Sequence, residues 1–256
     1  MTVPQIAAIA HESAADGPLL LLGPSLGTAS AVLWEDVIPI LADRFRIVSW
    51  DLPGHGQSPK ASEPFSLAEI AEAVVNLRRE IGGSRAYYAG VSVGGAIGLE
   101  AALGFPGAFD AFAIVCSGAK IGTFESWKER AHHVRTQSTS SLVVPSAQRW
   151  FAPESPSNRP EITGRLLHTL ANADDENYAL IAEALGDYDV RDRLGEIEVP
   201  VIAIYGEYDT VTTRDHAEEI AKGVRNGRVF PVEDASHLAP AEQPAIVASA
   251  LREFFA

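Results

Sequence analysis

Short apolar runs recur along the chain at residues 19–22, 46–50, 86–89, 112–116, 201–205 and 228–232. Such runs, apolar at successive positions and bounded by polar or glycine-containing segments, predict strands buried on both faces. Between most of them the period changes to that of a helix. Residues 67–81 show it well, with Leu67, Ile70, Ala71, Val74, Val75 and Leu77 on one face. Strand–helix alternation predicts an α/β protein with a mostly parallel central sheet and helices on both sides. Residues 6–10 predict one further strand, with antiparallel pairing open to it.

The alternation stops between residues 119 and 190. No parallel-sheet strand is predicted there; amphipathic helices are expected instead at 124–135, 141–151, 160–173 and 176–185. Pro153-Glu154-Ser155-Pro156-Ser157-Asn158 and Ala173-Asp174-Asp175 supply the breaks. The expected organisation is a core formed by 1–118 and 191–256, with 119–190 inserted as a helical lid (cap). A last helix should begin near Pro244.

Gly90-Val91-Ser92-Val93-Gly94 follows the 86–89 run and leads straight into Gly95-Ala96-Ile97-Gly98-Leu99. Strand, sharp turn and small-residue helix in that order would hold the Ser92 side chain up at a helix N-terminus. A second copy of the spacing, Gly23-Pro24-Ser25-Leu26-Gly27, lacks a following helix, and Pro24 removes a backbone donor beside Ser25. Ser92 is therefore the expected nucleophile. Val93 N–H and Leu26 N–H are the expected oxyanion donors, with Ser25 N–H as the alternative to Leu26.

A serine nucleophile needs a base, and the base an orienting carboxylate. Of seven histidines, His237 follows the last predicted strand in a loop able to lean over the sheet rim. His55, in Pro53-Gly54-His55-Gly56, is expected to brace its loop instead. Asp209 follows the 201–205 strand through Gly206-Glu207-Tyr208, on the rim that would carry Ser92 and His237. Glu207 and Asp215 are the alternatives. The order Ser92, Asp209, His237 is that of α/β-hydrolases. No His, Cys, Asp or Glu grouping has metal-ligand spacing, so neither metal nor cofactor is expected.

Charge changes the picture in two ways. With 34 acidic and 20 basic residues the net charge is −14, which argues against nucleic acid and anionic membrane surfaces as partners. Residues 120–149 reverse the balance, five cationic side chains against two anionic, a net of +3. A basic segment over the mouth of an acidic protein suits an anionic small molecule. The single cysteine, Cys116, excludes an internal disulfide. Met1-Thr2-Val3-Pro4-Gln5 has no basic leader pattern and no apolar run is long enough to span a membrane, so a cytoplasmic protein is expected, with homo-oligomerisation left open.

Over its whole length the chain resembles the α/β-hydrolase superfamily, and within it the 3-oxoadipate enol-lactonases. The narrower resemblance rests on Pro24-Ser25-Leu26-Gly27-Thr28 with Trp34, on Gly54-His55-Gly56-Gln57-Ser58, and on Gly90 to Gly95. In the insertion it rests on Ala119-Lys120-Ile121-Gly122-Thr123, Glu125-Ser126-Trp127, Arg130 and Arg149-Trp150-Phe151. The resemblance implies hydrolysis of a small enol-lactone carboxylate to 3-oxoadipate through an acyl-enzyme. Ser25, Trp127, Arg130, Arg149 and Trp150 are the expected substrate contacts. Leu52-Pro53 and Pro24 depart from the lactonase pattern and bring the chain nearer to esterase-like relatives. A carboxylesterase, a cofactor-free perhydrolase and a non-catalytic ligand receptor are the alternatives.

Overall fold

The computed structural model describes residues 3–256; Met1 and Thr2, where the leader expectation begins, lie outside the described residues. The strands are β1 (Ala8–Ala10), β2 (Leu19–Gly23), β3 (Arg46–Trp50), β4 (Ala86–Val91), β5 (Ala111–Val115), β6 (Val201–Gly206) and β7 (Gly227–Val232). They form one sheet in the order β1-β3-β2-β4-β5-β6-β7. Every neighbouring pair is parallel except β1 with β3. The run Leu19 to Leu22 is almost wholly buried, as expected of a strand covered on both faces.

β1 is shorter than the 6–10 expectation. Its pairing with β3 runs only from Ala8 to Ala10, and the Ala7 N–H turns to the Ser58 hydroxyl at 2.7 Å. The helix Leu67–Ile81 forms where its period lies, and Ser66 with Glu69 closes a reciprocal capping box at its start.

Order in the sheet matters for the site. From β2 the chain moves outward to β3 and then returns across β2 to β4, so the carboxyl ends of β2 and β4 part in opposite directions. Such a switch point opens a crevice where loops can hold a ligand. Gly23 is in register with Gly90 at that rim.

Between β5 and β6 the chain is helical: Phe124–Gln137, Val143–Trp150, Ser155–Asn158, Pro160–Ala171 and Asp175–Asp187. Its two ends meet where the Val190 N–H donates to the Ala119 carbonyl at 2.9 Å. The helix expected over 141–151 is preceded by a 3₁₀ turn, Thr139–Leu142, so Pro145 falls in the first turn, where no intrahelical donor is required. The break expected at 153–158 contains the one-turn helix Ser155–Asn158, with Pro156 in its first turn. Among the described residues no helix is long and apolar enough to cross a membrane.

Candidate active site

β4 ends at Val91, and the helix Val93–Gly104 starts two residues later. Ser92 makes the turn between them with φ 55° and ψ −118°, left-handed backbone that a side-chain-bearing residue adopts at a strain of order 1–3 kcal/mol. Two observations show what holds it. The Ser92 N–H donates to Val115 O at 2.9 Å, and the Ser117 hydroxyl donates to Ser92 O at 2.6 Å. A side chain at Gly90 would lie 2.4 Å from Gly94 O, so the turn closes only around glycine. Ser92 is 8% exposed, and its hydroxyl makes no hydrogen bond among the described residues.

Beside it lies the loop after β2. Trp34 Nε1 donates to Gly23 O at 2.9 Å, and Gly94 N–H to Pro24 O at 3.0 Å, so these carbonyls point away from the crevice. The Ser25 N–H is spent on Thr28 Oγ1 at 3.0 Å. That removes Ser25 as a backbone donor and leaves the Leu26 N–H, which has no acceptor among the described residues. The Val93 N–H opens a helix and has no intrahelical partner by position. The Leu26 and Val93 N–H groups are thus both left without an acceptor among the described residues.

β6 delivers Asp209 and the loop after β7 delivers His237, the two 5% and 2% exposed. His237 Nδ1 meets Asp209 Oδ2 at 2.8 Å. The other carboxylate oxygen accepts from the Val211 and Thr212 N–H groups at 2.7 and 3.1 Å, and the Thr212 hydroxyl donates to Oδ2 at 2.8 Å. Burial raises the Asp209 carboxyl, but His237 and these donors outweigh it and hold the acid below its usual range. With Nδ1 engaged by a carboxylate, Nε2 is the nitrogen left to exchange a proton. Among the described residues no hydrogen bond joins Nε2 to the Ser92 hydroxyl. Glu207, the alternative acid, accepts instead from the Asp234 N–H, and Asp215 opens the helix Arg214–Gly223.

The helical insertion covers this group. A side chain at Gly27 would meet Leu170 at 2.5 Å, and Trp150 and Tyr178 at 3.5 Å, so these three seat on the loop beside Leu26. Burial raises the Tyr178 hydroxyl, and the nearby charges of Arg130 and Arg149 oppose that rise. Burial, then the like charge of Arg130, push the Arg149 guanidinium below its ordinary value. Neither arginine has a carboxylate partner among the described residues. Trp127, expected against substrate, packs instead on Ala131, Ala179 and Ala182 between the two longest helices of the insertion, with its indole N–H on Ile121 O. Its spacing alone could not separate a pocket wall from a lid core. His55 braces its loop as expected: Nδ1 pairs with Pro53 O at 2.9 Å and the ring stacks on Tyr178.

Tyr178, Thr212 and Glu242 were not singled out by sequence. Asp209-x-x-Thr212 carried a readable signal, because a threonine three residues after an acid can cap it. Tyr178 and Glu242 carried none.

The sequence pattern of the alpha/beta hydrolase fold matches residues 18–140. The 3-oxoadipate enol-lactonase 2 of Acinetobacter baylyi is 34% identical over 230 residues, covering 90% of this chain and 85% of that protein. The chain belongs to the α/β-hydrolase family. Among solved α/β-hydrolases, the enol-lactonase from Burkholderia xenovorans superposes with a TM-score of 0.93 at 26% identity, covering 98% of this chain and 96% of that one. A hydrolase from Pseudomonas aeruginosa gives 0.91 at 30% identity, covering 98% and 94%.

Proposed function

We propose that this α/β-hydrolase opens a small enol-lactone carboxylate, with 3-oxoadipate enol-lactone as substrate and 3-oxoadipate as product. The observation that carries the chemistry is the buried Asp209–His237 pair, on the same sheet rim as the strained Ser92, whose hydroxyl makes no hydrogen bond among the described residues. The relatives named as enol-lactonases support the substrate class.

His237 Nε2 takes the Ser92 proton as the hydroxyl attacks the lactone carbonyl, and Asp209 stabilises the imidazolium. The oxyanion sits on the Leu26 and Val93 N–H groups, each worth about 3 kcal/mol in the transition state. Collapse breaks the ring C–O bond, the leaving oxygen takes the proton held on His237, and the resulting enol tautomerises to the ketone. Water, giving its proton to His237, then hydrolyses the Ser92 ester.

Residues 119–190 act in this reading as the lid. Arg130 and Arg149, charged and without carboxylate partners, hold the substrate carboxylate, and Trp150 walls the ring with Ser25 below it. The unpaired Cys116 suits a reducing compartment, so we place the enzyme in the cytoplasm.

The test compares 3-oxoadipate enol-lactone with p-nitrophenyl acetate on the wild type and Ser92→Ala. The expected result is a kcat/KM at least about 10²-fold higher for the lactone, and a loss on the order of 10⁴- to 10⁶-fold in the variant. Preference for the neutral ester would make the protein a carboxylesterase. Near-normal turnover by folded Ser92→Ala would remove the nucleophile.

A further inference from the structure

Five residues beyond His237, Glu242 is 4% exposed, yet no lysine or arginine neutralises its carboxylate among the described residues. Its two oxygens face in two directions. Oε1 accepts from the Ala152 N–H at 2.6 Å and the Ser155 hydroxyl at 2.7 Å, both in the helical insertion. Oε2 accepts from the Ser236 N–H at 2.8 Å, the residue before His237. Burying a carboxylate without a counter-ion is costly, and these three donors offset part of that cost.

The seam around Glu242 is stitched on both sides of the histidine. The Ser236 hydroxyl donates to Arg149 O and Tyr208 O at 3.1 and 3.2 Å, and the Leu238 N–H donates to Trp150 O at 3.1 Å. Residues 149–155 therefore grip residues 236 and 238, and the Glu242 carboxylate bonds to both sides of that grip. His237 and Cys116, at the end of β5, face it from the core side. Glu154, Asp234 and Tyr208 line the same cavity, as does Arg159, whose guanidinium reaches the Glu242 backbone carbonyl at 3.5 Å. Asp209 lies beyond the imidazole.

Resting on the hydrolytic reading of Ser92 and His237, we propose that Glu242 is a positioning residue of that reaction. Its carboxylate locks the insertion to the loop carrying His237 and supplies a second buried negative charge that favours the imidazolium. Burial raises this carboxyl, and the Ala152, Ser155 and Ser236 donors oppose the rise, so the ionised form is the one the geometry is built for.

Glutamine cannot do both jobs. It has the same shape and one acceptor oxygen, so its NH₂ group must face either Ser236 N–H or the Ala152 and Ser155 donors. It also carries no charge. The experiment measures kcat/KM against pH for p-nitrophenyl acetate hydrolysis by wild type, Glu242→Gln and Glu242→Asp. In Glu242→Gln the plateau should fall about tenfold or more, as for a lost outer-sphere partner. Its acid limb should move down by roughly half a pH unit to one unit, because a lost negative charge makes protonation of the base harder. Glu242→Asp keeps the charge, so its limb should stay within about 0.2 unit of wild type while its plateau falls. A purely structural role would lower both plateaus and move neither limb; that outcome in folded Glu242→Gln overturns the proposal. If Glu242→Gln does not fold, Glu242→Met removes the same charge without an unpaired amide: a limb moved down there supports the proposal, and an unmoved limb overturns it. Retained turnover in Ser92→Ala would instead bring down the hydrolytic reading, which separates the two failures.

Discussion

The Pro24 carbonyl accepts a hydrogen bond from the Gly94 N–H at 3.0 Å, so the loop after β2 and the helix after Ser92 meet backbone to backbone. This single contact fixes the spacing between the Leu26 and Val93 N–H groups, because each lies within two residues of it. A side chain on Gly94 would stand 2.4 Å from that carbonyl, and no flexible group is available to yield.

Gly94→Ala should therefore part the two donors. We expect kcat to fall on the order of 10²-fold, with KM for a neutral ester nearly unchanged, and stability to drop by about 2 kcal/mol. Steady-state kinetics with urea unfolding check this; a variant with unaltered kcat would show that the loop does not set the donor spacing.

Asp209→Asn keeps the shape of the acid but turns one oxygen into a donor. The Val211 and Thr212 N–H groups already occupy Oδ1, so the amide NH₂ must face His237 and enforce the wrong tautomer. Loss of about 10⁴-fold in kcat is expected, with little change in KM. A loss under about tenfold would release Asp209 from the reaction.

Arg149→Gln removes a half-buried charge that has no carboxylate to answer it. KM for an anionic lactone should rise about tenfold or more, while KM for p-nitrophenyl acetate stays within about twofold. Added salt should weaken lactone binding by the wild type more than by the variant. Equal changes for both substrates would leave the arginine a packing role alone.

Proton linkage at His55 gives a stability prediction of stated sign. Burial, opposed by the Pro53 carbonyl and Asp174, pushes this imidazole down from 6.5 to about 4. A group whose folded value is depressed contributes stability above its unfolded value. That contribution is fully present above pH 6.5 and is lost as pH falls from there to about 4, because only the unfolded chain takes up the proton. The loss should approach about 3 kcal/mol. Urea unfolding of the wild type between these limits should show the slope, and His55→Gln should flatten it. An equal slope in the variant would place the linkage elsewhere.

The strands and the turn at Ser92 were legible because each rests on local pattern. The apolar runs at 19–22 and 86–89 say strand without help from the rest of the chain, and Gly90 to Gly95 dictates its own turn. Which backbone donors are free was only half legible. Pro24 excluded itself by chemistry, but the Ser25 N–H is occupied by Thr28 Oγ1, three residues away and folded back. Trp127 and Glu242 lay beyond reach for a different reason. An aromatic residue on an amphipathic helix reads the same whether it faces a lid core or a ligand. A glutamate in a loop reads as solvated until the lid and the histidine loop close around it. Long-range enclosure, rather than residue type, gives both their meaning.

The hydrogen bond from Val190 to Ala119 brings the two ends of a long excursion to adjoining points on the scaffold. What lies between those points can lengthen, shorten or be exchanged wholesale while β5 and β6 keep their register. Under the proposed function, what the protein accepts can thus be revised without rebuilding how it reacts. A protein engineer can cut and graft at the same neck.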